Sequence, residues 1–171
     1  MIVRRFGHLI ATCQKGAAAA EMALILPLAV LLLFTTLEGA HYFYAQHQVV
    51  KGVRDGARWG ARQDFSSINC QNGTNSGVPV AIRDSVRELT RTGQLTGGTP
   101  RVLGWEADDI TVSLDCPTVA TSQTGIYDSV DRAPQITVTA TVDYVSLFGG
   151  VGVITDDADL RAAQQATVMG I

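Results

Sequence analysis

KGAAAAEMALILPLAVLLLFTTLE, residues 15–38, carries no charge between Glu21 and Glu38. Residues 17–37 number 21. At ~1.5 Å per helical residue they reach roughly 30 Å, the thickness of a hydrocarbon core. A transmembrane helix over residues 17–40 is therefore expected. Arg4, Arg5 and Lys15 precede it, and the positive-inside rule places that end in the cytoplasm. A cleavable secretory signal is the rival reading. Its apolar core is shorter, roughly 7–15 residues, and ends at a small-x-small site. Here the run is longer and continues into Gly39-Ala40-His41-Tyr42-Phe43-Tyr44 without a turn. Only Leu37-Glu38-Gly39-Ala40 resembles a cleavage site.

The remainder is of a different kind. The chain has 171 residues and a formal net charge of -3, enough for one domain with a modest core. No long basic run argues for nucleic acid as a partner. Beyond residue 65 the composition turns to Thr, Ser, Asn, Gln, Gly and Asp. One end suits lipid and the other water.

Glu21 is the anomaly. A carboxylate inside an apolar span costs roughly 2.5–3.5 kcal/mol on insertion scales. The bland reading is a side chain that snorkels to the interface. What precedes it suggests more: Gly16-Ala17-Ala18-Ala19-Ala20-Glu21 follows a short basic leader. Cleavage after Gly16 would make Glu21 the fifth residue and leave an ammonium at Ala17, one helical turn before the carboxylate. This resembles the class III signal of type IV prepilins. The resemblance is closest to the TadE-like minor pilins of tight-adherence (Tad/Flp) pili, carried by Gly16 to Pro27, by Leu37-Glu38-Gly39 and by Val53-Arg54-Asp55-Gly56-Ala57-Arg58. Met22 departs from it, standing where the family usually has an aromatic residue. The resemblance is specific over residues 16–62 and only architectural beyond.

The family implies a leader over residues 1–16 cut by prepilin peptidase, with Gly16, Ala17 and Glu21 as the processing determinants. It implies that Glu21 neutralises the N-terminal amine of a neighbouring subunit, a register device rather than a catalytic acid. It also implies partners: other pilins and minor pilins, the peptidase, the inner-membrane assembly platform and membrane lipid. Localisation follows as the bacterial inner membrane, amino end cytoplasmic and carboxyl domain periplasmic, or the extracellular pilus.

The helical pattern outlasts the membrane, so residues 41–64 are expected to continue the helix in water. Lys51, Arg54, Arg58 and Arg62 fall on one basic face, with Asp55 on its flank. Gly52, Gly56 and Gly60 recur every fourth residue. Each costs up to ~1 kcal/mol against Ala in a helix, so a row of three points to close backbone approach along one face. The partner is either the chain's own sheet or another subunit's helix; the plain alternative is a fraying end. Pro27 removes the donor to the Ala23 carbonyl and is expected to kink the span, which membrane helices tolerate. Tyr42, Phe43 and Tyr44 sit where an interfacial aromatic belt belongs. His41 and His47 lie on different helix faces and make no metal pair.

Residues 65–171 read as a periplasmic or extracellular α+β domain. Residues 68–77 are turn-rich, with Asn72-Gly73 and Ser76-Gly77. Ile82, Val86 and Leu89 mark a short amphipathic helix over residues 80–89, stopped near Gly93. Residues 110–114 and 136–144 alternate strictly, and residues 160–169 more weakly; Pro134 suits a strand start. The expected fold is a long N-terminal helix packed on a small antiparallel sheet, apolar on one face and Thr-rich on the other, which is pilin-like.

Three cysteines are present. Cleavage after Gly16 would remove Cys13 and leave Cys70 and Cys116, which a periplasmic disulfide could join; the alternative is two free thiols. The chain-entropy model values such a bridge at roughly 4 kcal/mol.

Catalytic signatures are missing: no P-loop, GxSxG, HExxH or zinc-type cysteine spacing occurs, and no cofactor is implied. Gly149-Gly150-Val151-Gly152 lacks the lysine of a phosphate cradle. Asp156, Asp157 and Asp159 could hold Ca²⁺ but lack the EF-hand glycine and terminal Glu, so a solvated acidic turn is the simpler reading. Asn72-Gly73-Thr74 fits a glycosylation sequon by chance as readily as by design. The expectation is a structural minor pilin or pseudopilin, not an enzyme. The alternatives are an uncleaved single-span periplasmic binding or scaffold module, and an exported enzyme with an unrecognised site.

Overall fold

An apolar run up to Glu38, followed by an amphipathic stretch, forms one helix well past the length of a span. In the computed structural model, which describes residues 14–68, 70, 77–117, 125–127, 132–149 and 158–170, helix α1 runs Gln14–Gly60. Its 47 residues extend about 70 Å. The helix passes through Pro27 as one element. Residues 61–63 form a closing turn, Arg62 N–H bonding Trp59 O at 3.1 Å and Gln63 N–H bonding Gly60 O at 3.3 Å.

Helix α2, Val80–Thr92, follows. Val86 and Thr90 are its buried positions, one turn apart on a single face. It ends where sequence chemistry requires. Gly93 adopts the left-handed conformation at φ 82° and donates its N–H to Leu89 O at 2.8 Å, a geometry glycine enters without strain.

Three strands complete the domain: β1 Ile110–Asp115, β2 Gln135–Asp143 and β3 Asp159–Thr167. They form an antiparallel sheet in the order β1-β2-β3. The register sets rows across one face, Leu114–Ile136–Ala166 and Ile110–Ala140–Ala162. On β2 the residues Ile136, Val138, Ala140 and Val142 are fully buried, while Thr139 and Thr141 face outward. That alternation is the half-buried antiparallel pattern. On β3 only Leu160 is fully enclosed, and Ala162 and Ala166 pack in part against the core, because small residues replace branched ones there.

Both helices lie on the same sheet face, α1 over β2 and β3 and α2 toward β1. The core sits between the layers, from Val49, Val53 and Ala57 of α1 through Val86 and Trp105 to the inward residues of the sheet. A short 3-10 turn, Gly125–Tyr127, brings Tyr127 against Phe65. Residues 1–13 of the leader, Cys13 among them, the Asn72-Gly73-Thr74 sequon, Gly150 to Gly152, and Asp156 and Asp157 lie outside the described residues.

Candidate assembly helix and membrane junction

The lower part of α1 has no internal neighbour. Residues 16–33 are exposed on every side, including Leu24, Ile25, Leu26, Leu31, Leu32 and Leu33. A helix apolar all round and uncovered by its own protein needs an apolar environment from elsewhere. Among the described residues it is the one helix long and apolar enough to cross a membrane. Gly16, Ala17, Glu21 and Pro27 all lie on this open stretch. Glu21 has no ion-pair partner among the described residues.

A second carboxylate sits at the top of the stretch in the opposite situation. Glu38 is 0% exposed. The Tyr144 hydroxyl donates to its Oε1 at 2.7 Å, and the Leu147 N–H donates to the same oxygen at 3.3 Å. His41 Nδ1 lies 2.9 Å from the Tyr144 oxygen. A phenol carries one proton, and the shorter contact to the carboxylate takes it. His41 thereby extends the contact to a His41–Tyr144–Glu38 chain. The Tyr144 and Leu147 donors converge on Oε1, the charge-assisted contact a buried carboxylate needs, whereas Oε2 is buried with no hydrogen-bond partner. The rings of Tyr42 and Tyr144 meet edge-on at 5.2 Å, and one turn below Glu38 the rings of Phe34 and Phe148 meet at 4.9 Å. The sheet domain is thus clamped to the helix at residues 34–42.

Above the clamp the helix turns its small residues inward. Ala45, Val49, Val53, Ala57 and Ala61 are buried, each four residues from the next. Beside them run Gly52, Gly56 and Gly60, and their neighbours are specific. A Cβ on Gly52 would fall onto the Thr90 backbone carbonyl and lie 2.8 Å from the Trp105 ring. One on Gly56 would fall onto the Thr90 hydroxyl, with the Val86 carbonyl at 3.3 Å. One on Gly60 would sit 2.6 Å from Ile136 Cδ1. The close approach expected from the glycine row is real. Its main partner is the chain's own helix α2, where the sequence pointed to the sheet or to another subunit; the sheet contributes at Gly60. Lys51, Arg54, Arg58 and Arg62 are exposed as one basic face. Asp55 on its flank pairs with Arg101 at 3.0 Å, tying the segment after α2 back to α1. Gln46 donates to Arg161 O at 2.8 Å, tying β3 to it as well.

Cys70 and Cys116 are joined, with S–S 2.01 Å and Cα–Cα 5.6 Å. The bridge fastens the segment after α1 to the end of β1 across 46 residues. Asp159 heads β3 and pairs with Arg161; its hydroxyl-bearing neighbour Tyr42 reaches its backbone carbonyl at 3.4 Å. No group of His, Cys, Asp and Glu that could hold a metal occurs among the described residues. His41 contacts Tyr144 and His47 is exposed.

Sequence reasoning passed over Glu38 as a functional residue, using it only as part of a resemblance. The available signal was a second carboxylate ending the uncharged run, with an aromatic belt directly after it.

Residues 16–58 match the family model described as TadE-like protein. No curated protein and no solved structure matches the chain. The match covers the open apolar stretch, the Glu38 clamp and most of the glycine row, and stops short of α2 and the sheet. Over residues 16–58 this chain is similar to TadE-like proteins.

Proposed function

We propose that this chain is a minor pilin or pseudopilin of a tight-adherence, type IVb-like pilus. It inserts in the inner membrane by the lower part of α1, is cut after Gly16 by prepilin peptidase, and joins a pilus used for adhesion or secretion. Its role is structural. The observation that carries the reading is the coincidence of the TadE-like match with a helix half that its own domain leaves uncovered. A protein that stayed single would leave that half to lipid alone. A subunit that assembles exchanges lipid for other helices.

Glu21 fits this use. After cleavage its carboxylate stands one turn from the Ala17 ammonium. In a bundle of such helices, the ammonium of one subunit and the carboxylate of the next neutralise each other in low dielectric. Leaving either alone there costs several kcal/mol. The pair would fix the axial register, while the uniform apolar surface around it supplies adhesion without register.

Intact mass and N-terminal sequencing of protein extracted from membranes test the reading. The mature chain is expected to begin at Ala17, and Gly16→Val to retain the leader. A native chain still starting at Met1 in cells with active prepilin peptidase would overturn it in favour of an uncleaved single-span scaffold.

A further inference from the structure

The underside of the sheet domain presents apolar side chains beside the helix that would enter lipid. Leu103 is 75% exposed and Leu147 55% exposed, and with Tyr44 and Val145 they ring an open cavity of about 250 Å³ next to His41. Clustered apolar exposure of this kind marks an interaction surface. Its height relative to a bilayer follows from the helix. With residue 17 at the inner edge of the hydrocarbon, Phe34 lies about 26 Å along the axis, still inside a core of roughly 30 Å. Phe148 is packed on Phe34 at 4.9 Å and shares its depth. Tilt shortens the projection along the bilayer normal and carries both rings deeper. Sliding the helix outward to lift them clear would draw Glu21 deeper into the hydrocarbon, which disfavours charged groups strongly.

We propose that the loop at residues 145–148, with Leu103 beside it, is a membrane foot: it seats in the outer interfacial layer of the bilayer that α1 crosses. Leu147 and Phe148 reach acyl chains, and Tyr44 lies at headgroup level, about 15 Å above Phe34 by the same rise per residue, with Leu103 beside it on the shared cavity. The Glu38 clamp is what holds the foot at this height, because the Leu147 amide and the Tyr144 hydroxyl both bond its carboxylate. The loop in turn screens that charge from lipid. The partner is lipid rather than protein on the strength of covalent continuity: wherever the lower half of α1 is in a bilayer, the foot is against it. The inference rests on that insertion and on no other part of the pilin reading.

The test uses the full chain with Cys13→Ser, so that the disulfide leaves an introduced thiol as the one that reacts. Leu147→Cys, Leu26→Cys and Ser66→Cys each receive an environment-sensitive fluorophore. The proteins are reconstituted in phosphatidylcholine–phosphatidylglycerol vesicles with or without lipids bearing an acyl-chain nitroxide. The expected result is blue-shifted emission, most of it lost to the nitroxide, at residues 26 and 147, with water-like, unquenched emission at residue 66. Quenching at residue 26 with a water-like, unquenched probe at residue 147 overturns the foot and leaves the span intact. A probe at residue 147 that shifts only as protein density rises assigns the face to a second subunit and also overturns it. Absence of quenching at residue 26 removes the span, and the foot with it.

Discussion

The two halves of α1 are both apolar and are solvated in opposite ways. Residues 22–33 carry large apolar side chains all round, and residues 16–33 are all exposed. Between Ala45 and Ala61 the inward positions are Ala, Gly and Val, buried against α2 and the sheet, while Lys51, Arg54, Arg58 and Arg62 face out. Apolar content alone therefore does not say what covers a helix. Side-chain size and angular distribution do. Bulk on every side calls for a fluid apolar surrounding. A narrow stripe of small residues calls for a rigid backbone at close range. The boundary is Phe34 to Tyr42, where Glu38 changes the rule from lipid-compatible to protein-covered.

Removing the boundary should have the largest effect on stability. Glu38→Ala removes the carboxylate oxygen to which the Tyr144 hydroxyl and the Leu147 amide donate. Losing hydrogen bonds to a charged group costs about 3 kcal/mol. Glu38→Gln keeps an oxygen for both donors and is expected to recover part of it. Denaturant unfolding of the purified chain in detergent checks this. An unchanged midpoint for Glu38→Ala would mean that the clamp is ornamental and the two halves merge gradually.

Gly52→Ala probes the upper half alone. Two terms compete. Alanine favours the helix by up to ~1 kcal/mol. Its Cβ, however, meets the Thr90 backbone carbonyl and the Trp105 ring, and overpacking costs about 1–3 kcal/mol when neighbours cannot give. A backbone carbonyl in a helix gives little, so the second term wins and a net loss of about 1 kcal/mol is expected. Gly39→Ala is the contrast. Nothing lies within 4 Å of its added Cβ, so the propensity term stands alone and the variant gains up to about 1 kcal/mol. If both glycines respond alike in the same unfolding measurement, the fit between α1 and α2 does not decide their effect.

What the sequence disclosed follows the same division. Elements set by local chemistry were readable: the strict alternation at 110–114 and 136–144 became β1 and β2, and the helix stop at Gly93 needed only a residue at ease with positive φ. The weak alternation near 160–169 became β3 with small inward residues. Helix α1 ends at Gly60, four residues before the expected 64, because the glycine row belongs to a packed end that turns toward Ile68. The Cys70–Cys116 bridge, which the sequence offered against two free thiols once the expected cleavage set Cys13 aside, is present. Pairings made over long separations left no local trace. Thr90 beneath Gly52 and Gly56 is one such case, and Tyr144 against Glu38, 106 residues apart, is another. A glycine row states that something comes close without naming it. A lone carboxylate states that it needs donors without locating them.

Glu21→Gln should leave the fold of the isolated chain unchanged, and for that reason it separates the halves most sharply. Glu21 touches nothing in its own domain that unfolding would disrupt. On the pilin reading proposed above, its effects arise in lipid and in the assembly. Removing the carboxylate eases residence in hydrocarbon by up to ~3 kcal/mol. Removing the partner of a neighbouring ammonium leaves that charge uncompensated once helices pack, at several kcal/mol. Membrane residence involves only the first of these, and assembly involves the second. The variant is therefore expected to unfold at the wild-type midpoint, to accumulate normally in the inner membrane and to be cut after Gly16, yet to be absent from the sheared pilus fraction. Recovery is compared at matched membrane levels. Equal amounts of variant and wild type in the pilus would show that Glu21 only snorkels to the interface, and the lower half of α1 would then be an anchor with no register of its own.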